Sequence, residues 1–226
     1  MQTQPSHPNN QVQTEPLTFE EYVEIEQHNN QKYEYRNGFI EAMAGGTFSH
    51  GTICGSVFGE IYSDLRGKDG TCRVINSEVK LAIETKNSYF YPDCMVVCGD
   101  VEKHETKEAI TNPKVIIEVL SKSTAAYDRG DKFFYYKKIK SLQQYILIEQ
   151  DKPQIDIYSR NQVTDENEEN ILWKIERIKG LESNLNLTSI DLVISLKSIY
   201  KDVVFPILED EEQEQKKDKE KEDKEK

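Results

Sequence analysis

Four charged residues fall where the hydrophobic pattern of this 226-residue chain calls for core or rigid framework: Glu34, Asp93, Glu118 and Lys132. Glu118 is the plainest case, because it interrupts the apolar run Val115 to Leu120, which has the length of a buried strand. An unpaired carboxylate there costs roughly several kcal/mol even after relaxation, so it needs a cation, a hydrogen-bond network or a task. Asp93 follows Pro92 and heads a second apolar run, Cys94 to Cys98. Glu34 sits between Tyr33 and Tyr35 in an alternating segment, and Lys132 lies four residues after Asp128, on one face of the helix expected there. Two carboxylates on neighbouring strands can share a hard divalent cation such as Mg²⁺, which takes oxygen ligands and keeps waters for a substrate phosphate. Such an ion polarises a phosphoryl oxygen and lowers the pKa of a water, and a nearby lysine stabilises the developing charge.

Each of these residues also has a plainer reading. Asp93 can cap a turn, Glu118 can pair with Lys132 or Arg129, and Glu34 can be a solvent-facing hairpin residue. Lys132 can be an ordinary exposed helix lysine with Asp128 as its i,i+4 partner. His50 opens a helix and reads as structural or as a hydrogen-bond donor more readily than as a general base, and Tyr135-Tyr136 reads as packing.

The elements that would position them are legible in order. Thr18 with Glu21 forms a capping box, which predicts a helix from Phe19 to Gln27. Asn37-Gly38 between alternating segments predicts a hairpin through a type I′ turn. Ile53, Val57, Ile61 and Leu65 recur every four residues, so a helix over Ser49–Leu65 should present a broad apolar stripe. Strands are expected at Cys72–Ile75, Glu78–Ile83, Cys94–Cys98, Val115–Leu120 and Tyr145–Ile148. A more exposed one is expected at Ile155–Tyr158, an edge strand at Ile171–Ile178 and a short one at Ile190–Ile194. A helix should cover Ala125–Lys138, the stretch Gly99–Thr111 should be a loop or surface helix, Leu181–Leu187 should be irregular, and Leu196–Tyr200 should close the chain as a helical turn. Mixed in this way, the elements predict an α/β or α+β domain with a central mixed sheet flanked by helices.

Composition limits the rest. From Glu209 to Lys226 every residue is Glu, Asp, Gln or Lys, and this run carries −4 of the net charge of −12. Without apolar residues it cannot bury a core, so 206–226 is expected to be a disordered tail, as is the polar segment 1–16, leaving 17–205 as one domain. Segment 1–16 has neither the basic nor the apolar part of a signal peptide, and no apolar run approaches a membrane span, so a cytoplasmic protein without membrane contact is expected. The cysteines (Cys54, Cys72, Cys94 and Cys98) lack the spacing of a zinc knuckle and read as buried small hydrophobes. Net acidity argues against nucleic-acid binding by bulk charge alone and leaves room for a local basic patch or a metal site.

Taken together, Pro92-Asp93 before an apolar strand, Ile117-Glu118-Val119-Leu120-Ser121, Asp128…Lys132…Tyr136, the Tyr33–Gly38 hairpin with His50 downstream, and Tyr145–Ile148 resemble the Uma2 family of the PD-(D/E)XK nuclease superfamily, over Leu17 to Tyr200. The resemblance implies a restriction-endonuclease-like core and cleavage of DNA phosphodiester bonds, double-stranded DNA being the expected partner, with Mg²⁺ or Mn²⁺. It implies Asp93 and Glu118 as metal ligands, Glu34 as an additional acid at the metal, and Lys132 as the catalytic lysine. The superfamily pattern puts a lysine two residues after the glutamate, where this chain has Leu120; Lys132 on the helix matches the migrated position, with Lys80 as its rival. Folds of this type often act as homodimers that cut both strands. The alternatives are a nuclease fold that binds nucleic acid or a protein without turnover, and a hydrolase of another phosphate ester.

Overall fold

The computed structural model describes residues 15–43, 45–104, 109–161 and 172–206. The expected disordered ends therefore lie almost wholly outside the described residues, as do parts of Gly99–Thr111 and of the segment before Trp173. The chain begins with α1 (Phe19–Asn29), started by the Thr18–Glu21 capping box. The hairpin β1 (Tyr33–Arg36) and β2 (Phe39–Ala42) turns through Asn37 and Gly38, both at positive φ. Then come α2 (Phe48–Arg66), β3 (Arg73–Asn76), β4 (Lys80–Ile83), β5 (Ser88–Phe90), β6 (Cys94–Val97), β7 (Ala109–Ile110) and β8 (Val115–Leu120). A helical stretch follows in three pieces: α3 (Ala125–Tyr127), a π turn (Asp128–Lys132) and α4 (Phe133–Tyr136). The chain continues with β9 (Gln144–Glu149), β10 (Gln154–Arg160), β11 (Trp173–Lys179), β12 (Asn184–Leu187), β13 (Leu192–Ser195) and α5 (Leu196–Ile199).

The central sheet has six strands in the order β11-β10-β9-β8-β6-β3. It is mixed: β8 and β9 run parallel, and the remaining pairs are antiparallel. A second sheet, β2-β1-β5-β4-β7, carries the hairpin, and β12 pairs with β13 separately. Alternation along β8 sends its side chains to two cores. Val115, Ile117 and Val119 pack against the α2 stripe of Ile53, Val57 and Ile61, while Ile116 and Leu120 join Tyr136, Tyr145 and Leu147 on the opposite face. Burying one such aliphatic side chain contributes about 1.5–3 kcal/mol, so α2 is fixed against the sheet by its stripe. Glu118 must then project into the face occupied by the π turn and α4. No helix among the described residues is long and apolar enough to cross a membrane.

Several expectations need correction. The segment Ile155–Tyr158 is not an exposed strand; Gln154 to Tyr158 is buried, because β10 lies between β9 and β11. Leu181–Leu187 is not irregular throughout, since Asn184–Leu187 forms a ladder with β13. The short strands β5 and β7 have no periodicity of their own and exist through their partners β1 and β4. Two of the cysteines are not free small hydrophobes: Cys72 and Cys98 form a disulfide. The β3–β6 register pairs Arg73 with Val97, and extending it by one position sets the two cysteines face to face. That neighbourhood depends on strand pairing and leaves no trace in sequence spacing.

Candidate active site

The site is built on β8, on the loop before β6, on β1, and on the helical stretch after β8. Extending the β6–β8 register, which pairs Cys94 with Ile117, sets Asp93 opposite Glu118. The Asp93 backbone N–H donates to Glu118 Oε2 at 3.3 Å, and Asp93 Oδ2 accepts from the Val119 N–H at 2.7 Å. Asp93 Oδ1 faces His50 Nε2 at 3.2 Å. His50 is presented there by the first turn of α2, whose cap is the Thr47 side chain.

Lys132 is buried, 6 % exposed, and reaches three carboxylates. Its Nζ lies 2.8 Å from Glu34 Oε1, 3.0 Å from Glu118 Oε1 and 3.4 Å from Asp128 Oδ1. The π turn brings Asp128 and Lys132 into the interior together, where the sequence pattern predicts a regular helix. Widened turns of this kind recur at functional sites, and Gly130, a weak helix former, sits at the middle of this one. The Tyr145 hydroxyl donates to the Asp128 carbonyl at 3.0 Å and so gives this buried turn a further backbone anchor.

Two tyrosines that sequence reasoning left out or read as packing complete the network. Tyr136 donates to Glu118 Oε1 at 2.8 Å and Tyr127 to Glu34 Oε2 at 3.1 Å. Their roles become visible only when the helical stretch is laid over β8. Lys80 goes elsewhere: its ammonium pairs with Glu26 and stands over the rings of Tyr22 and Tyr91. Glu34, Asp93, Glu118 and Lys132 therefore come together from separate elements, joined by Asp128 and His50.

The charge of this cluster is uneven. Four carboxylates (Glu34, Asp93, Glu118 and Asp128) face a single lysine and a histidine. Burial pushes the Glu118 carboxyl up; Lys132 pulls it back, and the charges of Asp93, Asp128 and Glu34 raise it again, to about 8. Burial lifts Asp128 as well. For Lys132, burial acts downward, yet Glu118, Glu34 and Asp128 outweigh it and hold the ammonium well above its ordinary range. His50 is raised by its hydrogen bond to Asp93, against the effect of burial. Four carboxyl groups gathered beside a protonated lysine fit a divalent cation, since oxygen donors are what Mg²⁺ and Mn²⁺ take. Asp93 and His50 keep 15 % and 21 % of their side chains exposed, against 5 % for Glu118, so the cluster opens to solvent at the Asp93–His50 edge.

Comparison with known proteins bears on the family and the fold. The model of the Uma2 family, described as "Putative restriction endonuclease", matches residues 19–188. The uncharacterized protein slr1290 of Synechocystis is 35% identical over 189 residues, covering 84% of this chain and 94% of that protein. A second uncharacterized Synechocystis protein, sll1609, is 32% identical over 148 residues, covering 65% of this chain and 82% of its own length. Among solved structures, one described as a putative nuclease belonging to DUF820, from Anabaena variabilis, superposes with a TM-score of 0.61 at 17% identity, covering 77% of this chain and 93% of that one. At that identity the likeness establishes the fold.

Proposed function

The chain belongs to the Uma2 family, and from that premise and the chemistry of the cluster we propose that it is a metal-dependent endonuclease hydrolysing DNA phosphodiester bonds, with double-stranded DNA as substrate and Mg²⁺ or Mn²⁺ as the ion. The observation that carries the reading is the convergence of Asp93, Glu118 and Lys132 from three separate elements, with Lys132 Nζ 3.0 Å from Glu118 and the Asp93 backbone on the other Glu118 oxygen. Asp93 and Glu118 would hold the ion. Bound there, a divalent ion would polarise the scissile phosphoryl group and lower the pKa of a water.

The chain's own groups do the rest. Lys132, kept protonated by its carboxylates, supplies a fixed positive charge for the negative charge that develops on the phosphate. Tyr136 fixes one Glu118 oxygen, and the Val119 N–H fixes one Asp93 oxygen, so both carboxylates are held before substrate arrives. Both Glu34 oxygens are engaged, by Lys132 and by Tyr127. Glu34 thereby positions the lysine, and it stands as the additional acid at the metal. DNA would reach the cluster from the Asp93–His50 edge, in a cytoplasmic enzyme acting as a homodimer so that both strands are cut.

A second reading is favoured by the net charge of −12, which weakens any general attraction to phosphate. The fold would then bind a nucleic acid or a protein without turnover. Nicking of supercoiled plasmid with Mg²⁺ or Mn²⁺ separates the two. Cleavage that disappears in both Asp93→Ala and Glu118→Ala supports the enzyme. Cleavage that survives Glu118→Ala overturns the site assignment, and binding with no cleavage under either ion supports the second reading.

A further inference from the structure

On the solvent-open side of Asp93 a different donor set comes together. His50 and Cys54 lie one turn apart on α2 and so share a face. A ring nitrogen of His50, the Cys54 sulfur and an Asp93 carboxylate oxygen all lie within 4.8 Å of one another. Cys54 is a free thiol, whereas Cys72 and Cys98 are committed to each other. His50 Nδ1 is buried and makes no hydrogen bond. Buried polar side-chain atoms are in large majority hydrogen-bonded, so this nitrogen stands out. The backbone also fits closely around the ring: a Cβ at Gly46 would come 2.6 Å from His50 Cδ2. Glycine at that position lets the loop before α2 close over the imidazole.

We propose that His50, Cys54 and Asp93 form a binding site for a divalent transition-metal ion of the zinc type. Mg²⁺ takes oxygen donors, while one imidazole, one thiolate and one carboxylate make the mixed set that Zn²⁺ and Co²⁺ prefer. Metal–ligand bonds of about 2.0–2.3 Å place tetrahedral donors about 3.3–3.8 Å apart, so small side-chain rotations close the observed spacing onto one ion. Three protein ligands leave a fourth position for solvent, the pattern of reactive zinc sites as distinct from structural ones. As the Cys54 sulfur binds, its thiol proton passes to solvent, and the second positive charge of the ion offsets part of the carboxylate surplus. The inference goes beyond the nuclease reading and does not depend on DNA cleavage, although the two sites share Asp93.

The test is a Co²⁺ titration of the metal-free full-length protein, followed by absorbance. Binding at this site gives a near-ultraviolet sulfur-to-cobalt charge-transfer band together with the visible bands of tetrahedral cobalt, and Zn²⁺ abolishes both. Cys54→Ser should remove the charge-transfer band, and His50→Gln, which removes a direct ligand, should weaken Co²⁺ binding by at least the roughly 10- to 100-fold that losing an outer-shell partner costs. Circular dichroism shows that the variants remain folded. Absence of Co²⁺ binding, binding without the thiolate band, or a band that survives Cys54→Ser would each overturn the proposal. Glu118→Gln separates this outcome from the nuclease one, since it should abolish plasmid nicking and leave the cobalt band in place. A nuclease reading that fails outright leaves the cobalt result unchanged.

Discussion

Two buried carboxylates occupy the same row on the same face of the central sheet and meet opposite fates. In register, Glu118 on β8 faces Leu147 on β9, Leu147 faces Asp156 on β10, and Asp156 faces Arg177 on β11. Glu118 is 4 % exposed and Asp156 is 3 %. Asp156 is held by Arg177 through a two-pronged pair, Nε to Oδ1 at 2.5 Å and Nη2 to Oδ2 at 2.9 Å. Arg129 from the π turn adds a contact at 3.3 Å and joins Asp156 to Glu149. Burial acts to raise the Asp156 carboxyl, but Arg177 and then Arg129 overcome it and leave it below its ordinary range. Glu118 has one lysine, shared with two other acids, and is pushed up instead. Both positions lie on buried stretches of their strands. The difference lies in whether the surrounding charge balances, and only the unbalanced cluster leaves room for a cation.

Substitutions that reverse the balance at either end of the row should break this contrast. The largest effect is expected from Lys132→Met. It leaves three buried acids facing one another and should cost about 3–5 kcal/mol of stability in metal-free protein. Chemical denaturation measures this, and millimolar Mn²⁺ should restore part of the loss. Asp156→Asn comes next. It should cost about 1–3 kcal/mol, because Arg177 is 52 % exposed and can turn to solvent. Plasmid nicking should be retained in that variant, and abolished nicking would mean that the two clusters act as one.

The smallest effect is in pH, and its sign differs between the two ends. The Glu118 carboxyl is raised in the folded chain, so its proton contributes stability that is full below about 4.5 and is lost as the pH rises through about 8. Metal-free Glu118→Gln should remove that decline, and its stability at pH 8 should match or exceed that of the parent chain. Asp156 is lowered, so its contribution is present above the ordinary carboxylate pKa and is lost as the pH falls through the lowered one. Thermal melting of Asp156→Asn against pH should show a shallower acid limb. Matching slopes in the two variants would erase the distinction between the clusters.

The sequence revealed one end of this row and missed the other for a physical reason. Glu118 stood out because it interrupts a continuous apolar run of the kind a doubly buried strand must have. Asp156 sits in an alternating Ile-Asp-Ile pattern that reads as a half-exposed strand, and its burial comes from Arg129 and Arg177, which the chain supplies from 27 residues before and 21 after. The capping box, the Asn37-Gly38 turn and the α2 stripe were legible because each is a local rule satisfied within a few residues. The hydroxyls of Tyr127 and Tyr136, the Cys72–Cys98 bond and the pairing of β5 and β7 were not, because each depends on which strand or helix lies alongside. Cys54 belongs with these: its distance from Asp93 follows from the packing of α2 on the sheet.

The π turn at Asp128–Lys132 has a consequence for how such a chain tolerates insertions and deletions. A widened turn is a regular helix carrying one residue too many, so removing one residue, for example Gly130, would allow an ordinary α-helix to form. Phe133 and Tyr136 are held by the core on the C-terminal side. Because the widened turn spends one residue more than an α-turn on about the same rotation, the flanks would keep their phase: Tyr127 would stay beside Glu34, and Asp128 would stand three residues from Lys132, still on one face. The widened turn is thus the place between Ser121 and Phe133 where one residue can be lost without displacing the groups on either side.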